Sequence, residues 1–143
     1  MFRALAVWCL ATFFLPACMA ATSELAPDDA HAVRAAIEGQ LSALATDRSA
    51  DAFAFASPEI RTRFRDAALF AEMVRRSYPM LIRPASVSYF APEAEQGVVT
   101  QSIQVRDREG NFWRVVYEMR RQPDGNWRIN GCAVAPDDDS STT

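Results

Sequence analysis

At 143 residues, half of them hydrophobic, the chain is long enough for a single domain with a substantial core. The net charge of -3, with every basic residue an arginine, excludes the strongly basic footprint of a nucleic-acid-binding domain. Charge is uneven along the chain: residues 60–128 hold twelve Arg against eight acids, and residues 21–59 hold two Arg against seven acids.

Met1 to Ala20 reads as a secretory signal. Arg3 opens it, an apolar run extends from Ala4 to Leu15, and small residues follow. The run is shorter than the ~20 residues a membrane span requires. Cys18-Met19-Ala20 suits a general signal peptidase. Leu15-Pro16-Ala17-Cys18 resembles a lipobox, after which Cys18 would carry a lipid. The expectation is an exported protein, periplasmic or secreted, with a lipid-anchored envelope form as the alternative. Contact with a membrane would come only through the signal or that anchor. Residues 21–30 are expected to form a short linker, residues 31–136 the domain, and residues 137–143 a disordered acidic tail. Cys9 leaves with the signal and Cys18 leaves or is lipidated. Cys132 is then alone, with no internal disulfide to join, and reads as a small buried residue.

Asp28 or Asp29, after Pro27, is suited to cap a first helix. Val33, Ile37, Leu41 and Leu44 fall within ~80° on one face of it, with Arg34, Glu38 and Gln40 assigned elsewhere, and it should end near Thr46. His31, the only histidine, has no partner for a metal and reads as surface. Asp51 to Ala56 suggests a brief second helix. Ser57 should cap a third, with Pro58 at its first position. No base accompanies Ser57, so capping is a better role for it than nucleophilic attack. Arg61, Arg63 and Arg65 do not form one patch, because Arg63 points ~200° away from the other two. Asp66 caps a fourth helix whose apolar face carries Phe70, Met73, Val74 and Leu69. Pro79 ends it at Tyr78.

Ala85 to Phe90 reads as a first strand and Pro92 to Gln96 as a loop. Val98 to Asp107, Phe112 to Gln122 and Trp127 to Ala135 then alternate apolar and polar residues. The turns between them are Arg108-Glu109-Gly110-Asn111 and Pro123-Asp124-Gly125-Asn126. Helices followed by strands predict an α+β domain: N-terminal helices packed on one face of a curved antiparallel sheet of about four strands. Parity assigns Val99, Gln101, Ile103 and Val105 to the face under the helices. Trp113, Val115, Tyr117, Met119, Trp127, Ile129 and Gly131 join them there. Phe112, Val116 and Val134 go outward, where they could form a homodimer surface.

Three runs carry a resemblance: Phe53-Ala54-Phe55-Ala56-Ser57-Pro58, Met73-Val74-Arg75-Arg76-Ser77-Tyr78-Pro79 and Trp127-Arg128-Ile129-Asn130-Gly131-Cys132. They look like an uncharacterised bacterial family, domain of unknown function 4864, over roughly Ala32 to Ala135. The order of elements, with the closing Asp124-Gly125-Asn126-Trp127-Arg128-Ile129 strand, resembles the nuclear-transport-factor-2-like cone fold. That fold serves isomerases, dehydratases, hydrolases and non-catalytic binding or scaffolding domains, often as dimers, so the resemblance implies a shape and no single activity.

A steroid-isomerase-like enzyme of this shape would need an acid base inside the cone and a tyrosine donor. Tyr117 and Tyr78 could donate. No Asp, Glu or His points inward by parity, and Asp107 sits at a strand end beside a turn. General acid–base chemistry needs such a group within reach of its substrate. The reading is therefore a non-enzymatic small-molecule-binding or accessory module. Its pocket candidates are Gln101 as polar anchor with Tyr117, Trp113, Met119, Val99, Ile103 and Tyr78, around a small apolar ligand. The alternatives are an enzyme of the isomerase or dehydratase type and a dimeric scaffold. No cofactor is expected, because there is no glycine-rich phosphate loop and no metal-ligand spacing.

Overall fold

A computed structural model describes residues 24–138; the expected signal segment, Cys18, residues 21–23 of the expected linker and residues 139–143 of the expected tail lie outside the described residues. Four helices come first: α1 (Pro27–Ala45), α2 (Ser49–Ala54), α3 (Pro58–Phe64) and α4 (Ala67–Ser77), followed by a 3₁₀ turn at Pro79–Leu81. Five strands follow: β1 (Ser86–Tyr89), β2 (Glu93–Glu95), β3 (Val98–Arg106), β4 (Phe112–Arg121) and β5 (Trp127–Pro136). They form one open antiparallel sheet in the order β1-β3-β4-β5, with β2 also paired to β3. The domain is α+β, with its helices on one face of that sheet.

The strand beyond the four expected is β2, in the stretch expected to be a loop. β2 is only three residues long, too short to show alternation, and it shares an edge of β3 with β1. Gln96 (φ 50) and Gly97 (φ 80) both adopt left-handed backbone between β2 and β3, the geometry of a two-residue hairpin turn. The two expected turns are present, and each is organised by an aspartate carboxylate. Asp107 accepts from the Glu109 and Asn111 amides, and Asp124 accepts from the Asn126 amide at 2.9 Å.

Side-chain caps open two of the four helices. Ser57 Oγ accepts from the Ile60 amide ahead of Pro58, and Asp66 accepts from the Ala68 and Leu69 amides. At α1 the expected caps are corrected. Ala26 is the N-cap residue, with no side-chain bond, and Pro27 opens the helix. Asp29 instead accepts from Trp127 Nε1 at 3.1 Å, tying the first turn of α1 to the start of β5. Gln40 is the second correction. It lies about 20° from Val33 on the helical wheel and is buried at 5 % exposure, donating to the Ala52 carbonyl. On α4, Phe70 and Val74 are buried, but Leu69 is 57 % exposed and does not belong to the apolar face.

Two cores result. The larger packs Val33, Ile37 and Leu41 of α1 on Val99, Ile103, Val115 and Met119 of the sheet. The smaller packs Ala43, Leu44, Ala52, Phe70 and Val74 among the helices, with Phe53 tilted against the Phe70 ring and Phe64 edge-on to it, at 5.4 and 5.7 Å between ring centres. Tyr78 touches both. Full burial of a valine, leucine, isoleucine, phenylalanine or methionine in these cores contributes ~1.5–3 kcal/mol.

Parity holds along β3 and β4. Gln101 is paired with Tyr117, Ile103 with Val115 and Val99 with Met119, and all six are buried. Glu118 and Arg120 belong to the outer face. On β5 the parity fails halfway. Ile129 pairs with Met119 but Gly131 pairs with Glu118, so Asn130 is a bulge. Beyond it the sides exchange. Gly131 turns outward, while Cys132 pairs with Tyr117 and Val134 with Val115, both packed toward the larger core. Val134 is therefore not part of an outer surface. Of the aromatic rings on the outer side, Phe90 lies under the Arg114 guanidinium at 4.1 Å and Phe112 under that of Arg106 at 5.8 Å. Asp137 is ordered: its amide donates to the Phe112 carbonyl, and its carboxylate accepts from Gln104 and Arg114.

Candidate functional site

The two cores do not close completely on each other. Between α1, α3, α4 and the bulged part of β5 lies a cavity of about 260 Å³. Its walls are largely apolar, supplied by Ile60, Phe64, Phe70, Met73, Val74 and Ile129. The polar groups lining it are Gln40, Arg63, Tyr78, Tyr117, Asn130 and Cys132.

The segment Phe55–Ser57 builds one wall by docking on β5. The Ser57 amide donates to the Ile129 carbonyl at 2.8 Å, and the Ile129 amide donates to Phe55 at 2.9 Å. Ser57 Oγ, fully buried, donates to Asn130 Oδ1 at 2.8 Å; Asn130 Nδ2 donates in turn to Glu118 Oε1 at 2.9 Å. Glu118 also accepts from Arg120, and the Asn130 bond followed by the Arg120 bond holds its carboxyl below the usual range. The bulge is thus satisfied on both sides of the sheet, and Ser57 is a cap and a strut with its hydrogen bonds made.

Tyr117 differs. It is 1 % exposed in the cavity wall, and its hydroxyl has no hydrogen-bond partner among the described residues. A buried hydroxyl without a partner costs ~1–3 kcal/mol, and this one belongs to a side chain that lines the cavity. Burial, followed by its neighbours Cys132 and Tyr89, pushes the Tyr117 hydroxyl well above its ordinary pKa. Burial alone pushes the Cys132 thiol up to about 12. Both groups are protonated at neutral pH, so they can donate hydrogen bonds but cannot act as a resting base.

The seven residues singled out from the sequence divide among three places. Tyr117 and Tyr78 line the cavity. Val99, Ile103 and Met119 lie in the solid part of the larger core. Gln101 does not reach the cavity: its Nε2 donates to the Phe90 carbonyl at 2.6 Å and the Ser102 carbonyl at 2.9 Å, fastening the chain after β1 to β3. Trp113 lines a separate recess near Arg83, Arg108 and Asp107. There its Nε1 donates to Asp107 Oδ2 at 2.9 Å, and this bond, ahead of those from Asn111 and Glu109, lowers the Asp107 pKa to about 2. Asp107 is thus a fixed anion that organises a turn.

The cavity members missed in the sequence are chiefly Gln40, Arg63 and Phe64. Gln40 was available from its helical angle. Arg63 was available from its position opposite Arg61 and Arg65, which line a shallow groove on the other side of α3. Nothing local marks Phe64. Among the described residues, no three of His, Cys, Asp or Glu converge to hold a metal ion.

The fold and site define a class: an α+β domain with helices on an open curved sheet and a lateral apolar cavity at the seam. Residues 26–142 match the family model described as a domain of unknown function (DUF4864), and the chain belongs to that family. No curated protein matches it.

Proposed function

We propose that this protein is a non-enzymatic binding module of the bacterial cell envelope, exported through its N-terminal segment, that holds a small apolar molecule between helices and sheet. The observation that carries this reading is the unbonded, buried Tyr117 hydroxyl in the wall of an apolar cavity of about 260 Å³. That volume lies just below the ~300–1,000 Å³ of pockets for drug-sized ligands, which favours a compact guest. Two protonated groups, Tyr117 and Cys132, suit recognition better than proton transfer. Helices laid on a curved open sheet support the nuclear-transport-factor-2-like reading of the fold, and Arg3 with the apolar run Ala4–Leu15 supports export.

Native mass spectrometry of the purified protein tests the reading. The expected result is a small-molecule adduct on the folded chain. Met73→Trp, which fills the cavity from partly exposed α4, removes the adduct and leaves the circular dichroism unchanged. An adduct-free protein whose melting temperature no small apolar compound raises would overturn it.

A further inference from the structure

We propose that the molecule held in this cavity is an organic monoanion, an apolar body carrying one carboxylate, with its charge resting on Arg63. The inference rests on the binding reading above and names the class of guest. Arg63 extends from the last turn of α3 and lines the cavity while remaining exposed, so it stands at the mouth. It makes no ion pair or hydrogen bond with any described residue. Eight other arginines, among them Arg34, Arg75 and Arg114, are each paired with an acid. None of the residues lining the cavity is acidic. The one formal charge among the lining residues is therefore the Arg63 guanidinium, unpaired although Glu59 lies one turn before it on α3, and apolar walls beside it concentrate its field on whatever enters.

The rest of the lining narrows the class. A planar guanidinium pairs with a carboxylate through two parallel bonds. A phosphate dianion would need further donors, and the neighbouring walls are Ile60, Phe64, Phe70, Met73 and Val74. At the inner wall, Tyr117 lacks a partner. A polar atom at the far end of the guest would supply one.

The test is calorimetric titration of the full chain with 3-phenylpropanoate and with 3-phenylpropanamide, its neutral counterpart. An exposed ion pair contributes up to ~1 kcal/mol, so the carboxylate is expected to bind about fivefold more tightly than the amide. Arg63→Gln should abolish that preference and leave amide binding unchanged. Arg61→Gln, a change of equal charge on the opposite side of α3, should preserve it, and both variants should melt like the parent. Adding a para-hydroxyl to the carboxylate should tighten binding in the parent and not in Tyr117→Phe. Equal affinity for acid and amide in the parent would overturn the anion inference while leaving the pocket standing. So would an Arg61→Gln effect as large as that of Arg63→Gln. If neither compound binds, the cavity reading fails and this inference fails with it.

Discussion

Tyr117 and Asp107 show how differently two polar side chains on one sheet are treated. Tyr117 is enclosed with its hydroxyl unbonded, so Tyr117→Phe should stabilise the empty protein by about 1 kcal/mol, a rise of several degrees in Tm. The same change should weaken retention of a guest. The two effects have opposite signs, and a melt plus a binding measurement reads both; a Phe variant that melts lower would mean that the hydroxyl is bonded after all. Asp107 is only partly exposed and is held by Trp113 Nε1, with a pKa lowered to about 2. Its unfolded value is near 3.9. The stabilisation it provides is therefore complete above about pH 4 and disappears as pH falls toward 2. Fluorescence or indole NMR of Trp113 should follow that loss, and Asp107→Asn, which keeps an acceptor but cannot titrate, should flatten it.

Helix α1 contains Gly39 at a position where alanine would ordinarily add up to ~1 kcal/mol of helix propensity. Here a Cβ would overlap the Phe55 ring. Phe55 cannot retreat freely, because its ring packs against the larger core and its backbone is bonded to the Ile129 amide. Gly39→Ala should therefore lower stability by about 1–2 kcal/mol in a urea melt, against the propensity trend. The contrast shows which features of the elements were legible in the chain. Ser57-Pro58, Asp66 and the turns organised by Asp107 and Asp124 announce themselves through chemistry within four residues. The alternation in β3 and β4 is regular, so its faces could be assigned. Gln40 was equally legible, since its angle alone places it beside Val33. The bulge at Asn130 was not. It depends on Phe55–Ser57 docking from far away in the chain, and the local sequence Ile129-Asn130-Gly131 reads as ordinary alternation. For the same reason Gly131 and Val134 were placed by a parity that the strand does not keep.

In the whole molecule, the order of helices and strands foretold the layered α+β arrangement, but the cavity emerges only where two cores meet, a property no single element carries. A guest in that seam bridges both halves. Bound at 100 times its Kd it adds ~2.7 kcal/mol, and amide hydrogen exchange should slow in α4 and β5 together; protection confined to one of them would mean the guest sits elsewhere. The Asn130 bulge fixes where such a seam can lie. Pairing that one residue in regular alternation would heal the ladder and yet exchange inside for outside along everything that follows. Cys132 and Val134 would pass into water and Ala133 and Ala135 under the helices, replacing a thiol and an isopropyl group by two methyls. A perfect strand would thus make a poorer protein: the irregularity lets one continuous ribbon present opposite edges of its pattern to the same interior.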